Sequence, residues 1–376
     1  MCKLCVGLTC THYAGQTYTQ LTNSMSYLSI DVIKIFALGI LGFIFATLLT
    51  PVLTHFLFKY KFWKKNLREK SIDGKDIPNY RKFYEDTETK KPRAGGLLIW
   101  LTPLALAFLF LLLSKTGIPL FEKLNFLSRE QTWLPLFALA AGAIIGLADD
   151  LLSVTDLGKY VGGGLRMRHR LLAVFLIGLV GAFWFYFKLD WRTIHVPGNG
   201  EIYIGALYIL LFALVNMAIH SSTIIDGLDG LSGGTFASIF AAFAIIAFWR
   251  GQINLAGFCS AVLGALLSFL WFNIPPARFV MGETGILGLG TALTVVAFLT
   301  DSVFVLPIIA FLLVVESLSA IIQLLSKKYL KKKIFLAAPI HHHFQAKGWP
   351  HYKVTMRMWV IGVVVAIIGV AIRMLG

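Results

Sequence analysis

Ten stretches of this chain are apolar for long enough to cross a bilayer. A spanning helix needs roughly 20 mainly apolar residues, and segments 32–58, 95–113, 133–149, 171–187, 204–222, 235–250, 255–273, 284–300, 303–325 and 358–375 meet that demand. The sixth and eighth are short in this reading. No soluble domain fits between the spans. The expected fold is therefore an all-α polytopic membrane protein, with about ten transmembrane helices in a single domain over 31–376. Residues 1–30 form a polar leader expected to be disordered. They lack the charged start, apolar stretch and small-residue cleavage site of a signal peptide.

Composition agrees: 57% of the 376 residues are hydrophobic and 14% charged, with the apolar residues in blocks. The net charge of +15 then reads as topology signal and anionic-lipid contact, and nucleic acid is not an expected partner. Cys2, Cys5, Cys10 and Cys259 make no disulfide framework. Cys2-Lys-Leu-Cys5 lacks the second pair or nearby histidine of a zinc site.

Ten spans put both termini on one side of the membrane. The gaps 59–94, 150–170, 274–283 and 326–357 hold 25 of the 34 Lys and Arg residues. By the positive-inside rule these gaps are cytoplasmic and both termini face outward. Asp149 and Asp150 end the third span, Asp226 and Asp229 end the fifth, and Glu283 precedes the eighth. These acids, His220 and the run His341-His342-His343 all fall at the cytoplasmic boundary, and none sits mid-helix. A transporter would hold its ionisable groups near the bilayer midplane. This pattern favours an enzyme at the cytoplasmic face, where a soluble substrate meets a lipid one.

Within IIDGLDGLSGG (224–234), Asp226 and Asp229 are spaced i and i+3, so a helical turn puts them on one face. Gly227, Gly230, Gly233 and Gly234 leave room for a bulky ligand. Helix capping explains one acid there, not two. Magnesium takes one or two carboxylates plus substrate phosphates, which suits this pair. Asp149 and Asp150 are neighbours, about 100° apart on a helix, so they serve separate jobs: one toward a metal or nucleophile, one toward a structural partner. Asn273 before Ile274-Pro275-Pro276 is either a helix stop or a site residue. Met281–Gly285 is a glycine-flanked turn carrying Glu283, whose plain alternative is a dipole-favoured acid at a helix start. His341–His343 suit phosphate contact or acid–base work better than zinc. Lys90, Lys91 and Arg93 lie close enough to the second span to meet an anionic substrate, and Arg166, Arg168 and Arg170 follow the glycine hinge 162–164.

Together these stretches resemble the phospho-N-acetylmuramoyl-pentapeptide-transferase family, within the polyprenyl-phosphate N-acetylhexosamine-1-phosphate transferases. Asp149-Asp150, the DGLDGL run 226–231 and LWFN ending at Asn273 are similar to superfamily motifs. FLAAPIHHHFQAKGW (335–349), with Arg357 and Trp359 beyond, is similar to the narrower family signature. The resemblance implies transfer of phospho-MurNAc-pentapeptide from UDP-MurNAc-pentapeptide to undecaprenyl phosphate, releasing UMP and giving lipid I in the bacterial inner membrane. It implies Mg2+ held by Asp226 and Glu283, with Asp149, Asp150, Asp226, His341, His342 and His343 as catalytic groups. Asp229, Asn273, Arg170, Lys90 and Lys91 would bind substrate, and a homodimer is one candidate assembly. The rival readings are a relative using UDP-N-acetylglucosamine, and a lipid-binding or transport homologue on the same scaffold. Several positions depart from the family pattern. Glu283 stands for the usual aspartate, Arg170 for lysine, His220 and Thr223 for asparagines, and Gln345 for an acid.

Overall fold

The computed structural model describes residues 9–63, 91–155, 164–165 and 167–376, with side chains from Leu28 onward except Met167, Ser222 and Thr223. Lys90, Gly162, Gly163 and Arg166 lie outside the described residues. The elements, in chain order, are α1 (Thr9–Lys59), α2 (Leu97–Ser114), the short α3 (Pro119–Leu124), α4 (Trp133–Val154) and α5 (Met167–Phe183). A β-hairpin follows, β1 (Thr193–Val196) and β2 (Gly200–Tyr203), then α6 (Leu207–Ser221), α7 (Leu231–Trp249), α8 (Ile253–Asn273) and α9 (Gly282–Leu299). The chain closes with α10 (Leu306–Ile309), α11 (Phe311–Leu325), α12 (Ile340–Ala346) and α13 (His351–Leu375).

Among the described residues, eight helices are long and apolar enough to cross a membrane: the apolar part of α1 from Leu28, α2, α4, Arg168–Lys188, α7, α8, α9 and α13. The protein is thus an all-α polytopic membrane protein. The shorter spans are the fifth and ninth, not the sixth and eighth. Helix α6 has 15 residues, and the ninth span breaks into α10 and the 15-residue α11. The expected sixth and eighth spans looked short because Leu231-Ser-Gly-Gly-Thr and Gly282-Glu-Thr-Gly are not greasy. Both runs are nonetheless helical, buried against neighbouring helices. The backbone of α1 begins at Thr9, within the stretch read as a leader. Extending an existing helix adds one hydrogen bond per residue fixed and avoids a new nucleus.

Helix α9 is the axis of the bundle, with 94% of its span buried. Its small residues permit this. Gly142 and Gly146 of α4 lie directly on the α9 backbone, at Leu287 and Glu283. Gly264 of α8 lies against the Gly39 carbonyl of α1 in the same manner. Small residues let membrane helices approach closely and gain packing that lipid cannot offer. The starts of α2, α5, α7, α9 and α13 gather at one end of the bundle with the ends of α4, α6 and α8. The hairpin and the end of α9 lie at the other.

Candidate active site

The site is built where these helix ends meet. Asp149 and Asp150 leave α4 in different directions, as their angular separation requires. Asp149 Oδ1 accepts from Leu165 N (2.5 Å), and its Oδ2 lies 3.6 Å from Arg170 Nη1. Asp150 turns inward: Oδ2 accepts from Thr284 N (3.0 Å), and Oδ1 lies 3.9 Å from Arg93 Nη1. Arg170, at the start of α5, also reaches Glu283 Oε2 (2.7 Å) and places its Nε 3.3 Å from His220 Nε2. One guanidinium therefore joins α4, α5, α6 and α9.

The glycine-rich turn carries the second half of the site. Asp226 accepts from Ser232 Oγ (2.6 Å) and from Gly282 N (3.1 Å), which ties the turn to the start of α9. Burial pushes its carboxyl up to about 7, and the Glu283 charge adds to the rise against Ser232, Gly282 and Arg93. Asp229 forms an ion pair with Lys91 (2.5 Å), accepts from Ala277 N (3.2 Å), and donates its own backbone N–H to His351 Nε2 (3.1 Å). Gly230 adopts φ +80, a conformation that favours glycine. Its N–H donates to Asn273 Oδ1 (2.8 Å) and its carbonyl accepts from Trp359 Nε1 (3.1 Å). The other arm of the Asn273 amide donates to the Phe279 carbonyl (2.7 Å). Asn273 is 1% exposed, so it holds the turn in place and does not line open space.

The histidine run divides. The His341 ring packs on Gly227, where a Cβ would lie 2.5 Å from Nε2. Its Nδ1 meets Glu316 Oε2 (2.8 Å) and its Nε2 meets His342 Nε2 (3.1 Å). Burial depresses both imidazoles to about 3, so each is neutral at pH 7. With each ring neutral, His341 Nδ1 faces the Glu316 carboxyl and its Nε2 faces the His342 ring. His343 faces elsewhere. Its Nδ1 accepts from Leu336 N (3.1 Å) and its ring sits edge-on to Phe335.

Asp149, Asp150, Asp226, Asp229, Glu283, Arg170, Lys91, His341 and His342 are thus gathered by α4, α5, α9, α12, the glycine turn and the segment before α2. Three further residues join them. Arg93 was noted beside Lys91, but its approach to Asp150 was not. His351 carries no local signal in the sequence. Glu316 was not among the acids placed at the cytoplasmic boundary, and it lies inside α11 at 0% exposure. A single acid in the apolar run 303–325 was the signal that could have found it.

The donors suit a hard divalent cation. Asp226 and Glu283 carry carboxyl groups whose charges oppose one another, and Asp150 Oδ1 is buried with no hydrogen-bond partner among the described residues. These three acids are balanced by Arg93 and Arg170. Among the described residues, a group of three ligand atoms within 4.8 Å of one another occurs elsewhere, at His195, Glu201 and Asp301.

Residues 132–301 match the family profile Glycosyl transferase family 4. With a helical membrane bundle and a charged site at one end, that match defines a polytopic membrane transferase. The chain is 34% identical over 340 residues to the phospho-N-acetylmuramoyl-pentapeptide-transferase of Geobacillus sp. (strain WCH70), covering 89% of this chain and 96% of that protein. Enzymes of that name from Anoxybacillus flavithermus (strain DSM 21510 / WK1) and Bacillus subtilis (strain 168) are 33% and 32% identical, each with 89% and 96% coverage. The chain belongs to the phospho-N-acetylmuramoyl-pentapeptide-transferase family.

Proposed function

We propose that this protein transfers phospho-MurNAc-pentapeptide from UDP-MurNAc-pentapeptide to undecaprenyl phosphate, giving lipid I and UMP, at the cytoplasmic face of the bacterial inner membrane. The orientation rests on the Lys and Arg excess in the loops at the site end. A lipid phosphate oxygen attacks the β-phosphorus of the nucleotide sugar, and the bond to the UMP oxygen breaks. Such a transfer asks little covalent chemistry of the protein, which works by positioning and by neutralising charge. Asp149 faces the lipid phosphate in this reading. Arg93, Arg170 and Lys91 offset the charge of two anionic substrates, and neutral His341 and His342 hydrogen-bond phosphate oxygens. Asp226 and Glu283 would hold Mg2+, which when bound supplies charge neutralisation on the diphosphate.

One observation carries the reading: acids and cations from α4, α5, α9 and the glycine turn converge at a single end of a membrane bundle. The test is UMP release by purified protein with undecaprenyl phosphate and either UDP-MurNAc-pentapeptide or UDP-N-acetylglucosamine. The expected result is release with the first donor, lowered about 100-fold or more by Asp226→Asn or Asp149→Asn in folded protein. Full turnover in both variants overturns the site assignment. Release with the second donor alone moves the protein to the related sugar, and lipid binding without release removes the enzyme reading.

A further inference from the structure

At the far end of the bundle lies a second group of ligand-bearing side chains. His195 and Glu201 are directly paired across the β1–β2 hairpin, so both side chains leave the same face. Asp301 follows α9 in a left-handed turn (φ +49), and its Oδ1 accepts from His195 N (3.0 Å). One ligand atom from each of the three lies within 4.8 Å of the others. Helix α9 has 18 residues, so at 1.5 Å per residue about 27 Å separates this group from Glu283.

Each member already has another polar atom held. His195 Nε2 meets the Gly376 carbonyl, Thr193 Oγ1 donates to Glu201 Oε2 (2.5 Å), and Asp301 Oδ1 takes the His195 N–H. One ring nitrogen and one oxygen on each acid carry no further hydrogen bond among the described residues. Bonds of this kind, behind the ligating atoms, are what orient ligands in metal sites. Arg250 and Arg373 are the cations that Asp301 feels. The Arg373 guanidinium is drawn aside, donating to Ser302 Oγ (3.2 Å) and lying over the Trp249 ring. The Tyr208 hydroxyl, within electrostatic reach of Asp301, is buried with no hydrogen-bond partner.

We propose that His195, Glu201 and Asp301 form a divalent-cation site of the zinc class that fastens the hairpin to the end of α9. An imidazole with two carboxylates suits zinc, whereas magnesium prefers oxygen and water. The proposal does not depend on the transferase reading.

The test uses full-length protein in detergent, stripped with chelator and dialysed against Zn2+ alone or Mg2+ alone, with bound metal and the unfolding midpoint as readouts. Glu201 is exposed, so Glu201→Gln keeps the fold, and His195→Ala gives a second variant. Wild type should retain one more zinc per chain than either variant. Its midpoint should rise by about 5 °C at a hundredfold excess over Kd, with no such rise in the variants or in Mg2+. Equal zinc in wild type and both variants places the metal on other groups and overturns the proposal, as does no zinc retained at all.

Discussion

Arg170 and Glu283 meet end to end, Nη2 to Oε2 at 2.7 Å, and both differ from the lysine and aspartate usual in the family. A guanidinium is a planar fork that can serve several acceptors at once, which an ammonium does by point charge. Here the fork also reaches Asp149 and His220, and the longer glutamate arm fits it. The two departures therefore act as one. Arg170→Lys and Glu283→Asp should each lower kcat/KM for UMP release about tenfold, and the double variant should return to within about threefold of wild type. A double variant about a hundredfold down, the product of the two losses, would show independent residues.

Asp226 sets a pH dependence. Its carboxyl rises from an ordinary 3.8 to about 7 because it is buried. Between those values the folded protein holds a proton that the unfolded chain has released, so stability declines as pH rises through that window. Asp226→Asn removes the titration. Wild type and variant should unfold at similar temperatures near pH 5, and the variant should be the more stable near pH 8. Parallel curves for the two proteins from pH 5 to 8 would rule out a raised carboxyl at this position.

What the sequence made legible was set by hydropathy and by charge placement. The apolar blocks gave the bundle, and the spacing of Asp226 and Asp229 marked the turn on which the site is built. Partners far apart in the chain stayed hidden. Asp229 and His351 are 122 residues apart, and no local pattern joins them. His341, His342 and His343 look alike in sequence, yet Glu316 and Gly227 select the first for the site and Leu336 takes the third. The small polar residues that start α7 and α9 looked like interruptions because burial against neighbours, not hydropathy, keeps them helical.

Glu316 is expected to act through His341. Its carboxyl, against Nδ1, fixes which imidazole nitrogen carries the proton, the role a buried acid plays behind a catalytic histidine. Glu316→Gln keeps the shape but exchanges the carboxyl for an amide, while Glu316→Ala removes the partner altogether. Transfer should fall about tenfold or more in Glu316→Gln and further in Glu316→Ala, chiefly in kcat. The proton-bearing nitrogen of His341, read by 15N chemical shift in selectively labelled protein, should change with it. Unchanged kcat in both folded variants would leave Glu316 with a packing role only.

Two glycines on the α9 interfaces should respond oppositely to the same substitution. At Gly146 an added Cβ would meet the Glu283 carbonyl and lie 2.6 Å from Thr284 Cα, both backbone atoms that cannot swing away. At Gly290 the only neighbour within 4 Å outside its own helix, among the described residues, is Ile219 Cγ2, at 3.3 Å, the end of a side chain that can give. Gly146→Ala should therefore destabilise the protein by about 1–3 kcal/mol, since overpacking forces the helices apart. It should also cut transfer, because the displaced backbone carries Glu283 and the amide that holds Asp150. Gly290→Ala should be neutral or stabilise by up to about 1 kcal/mol, as alanine is the better helix former. Unfolding midpoints of the two variants beside UMP release decide the matter. A Gly146→Ala protein as stable and active as Gly290→Ala would mean that α4 and α9 are not in backbone contact at the site.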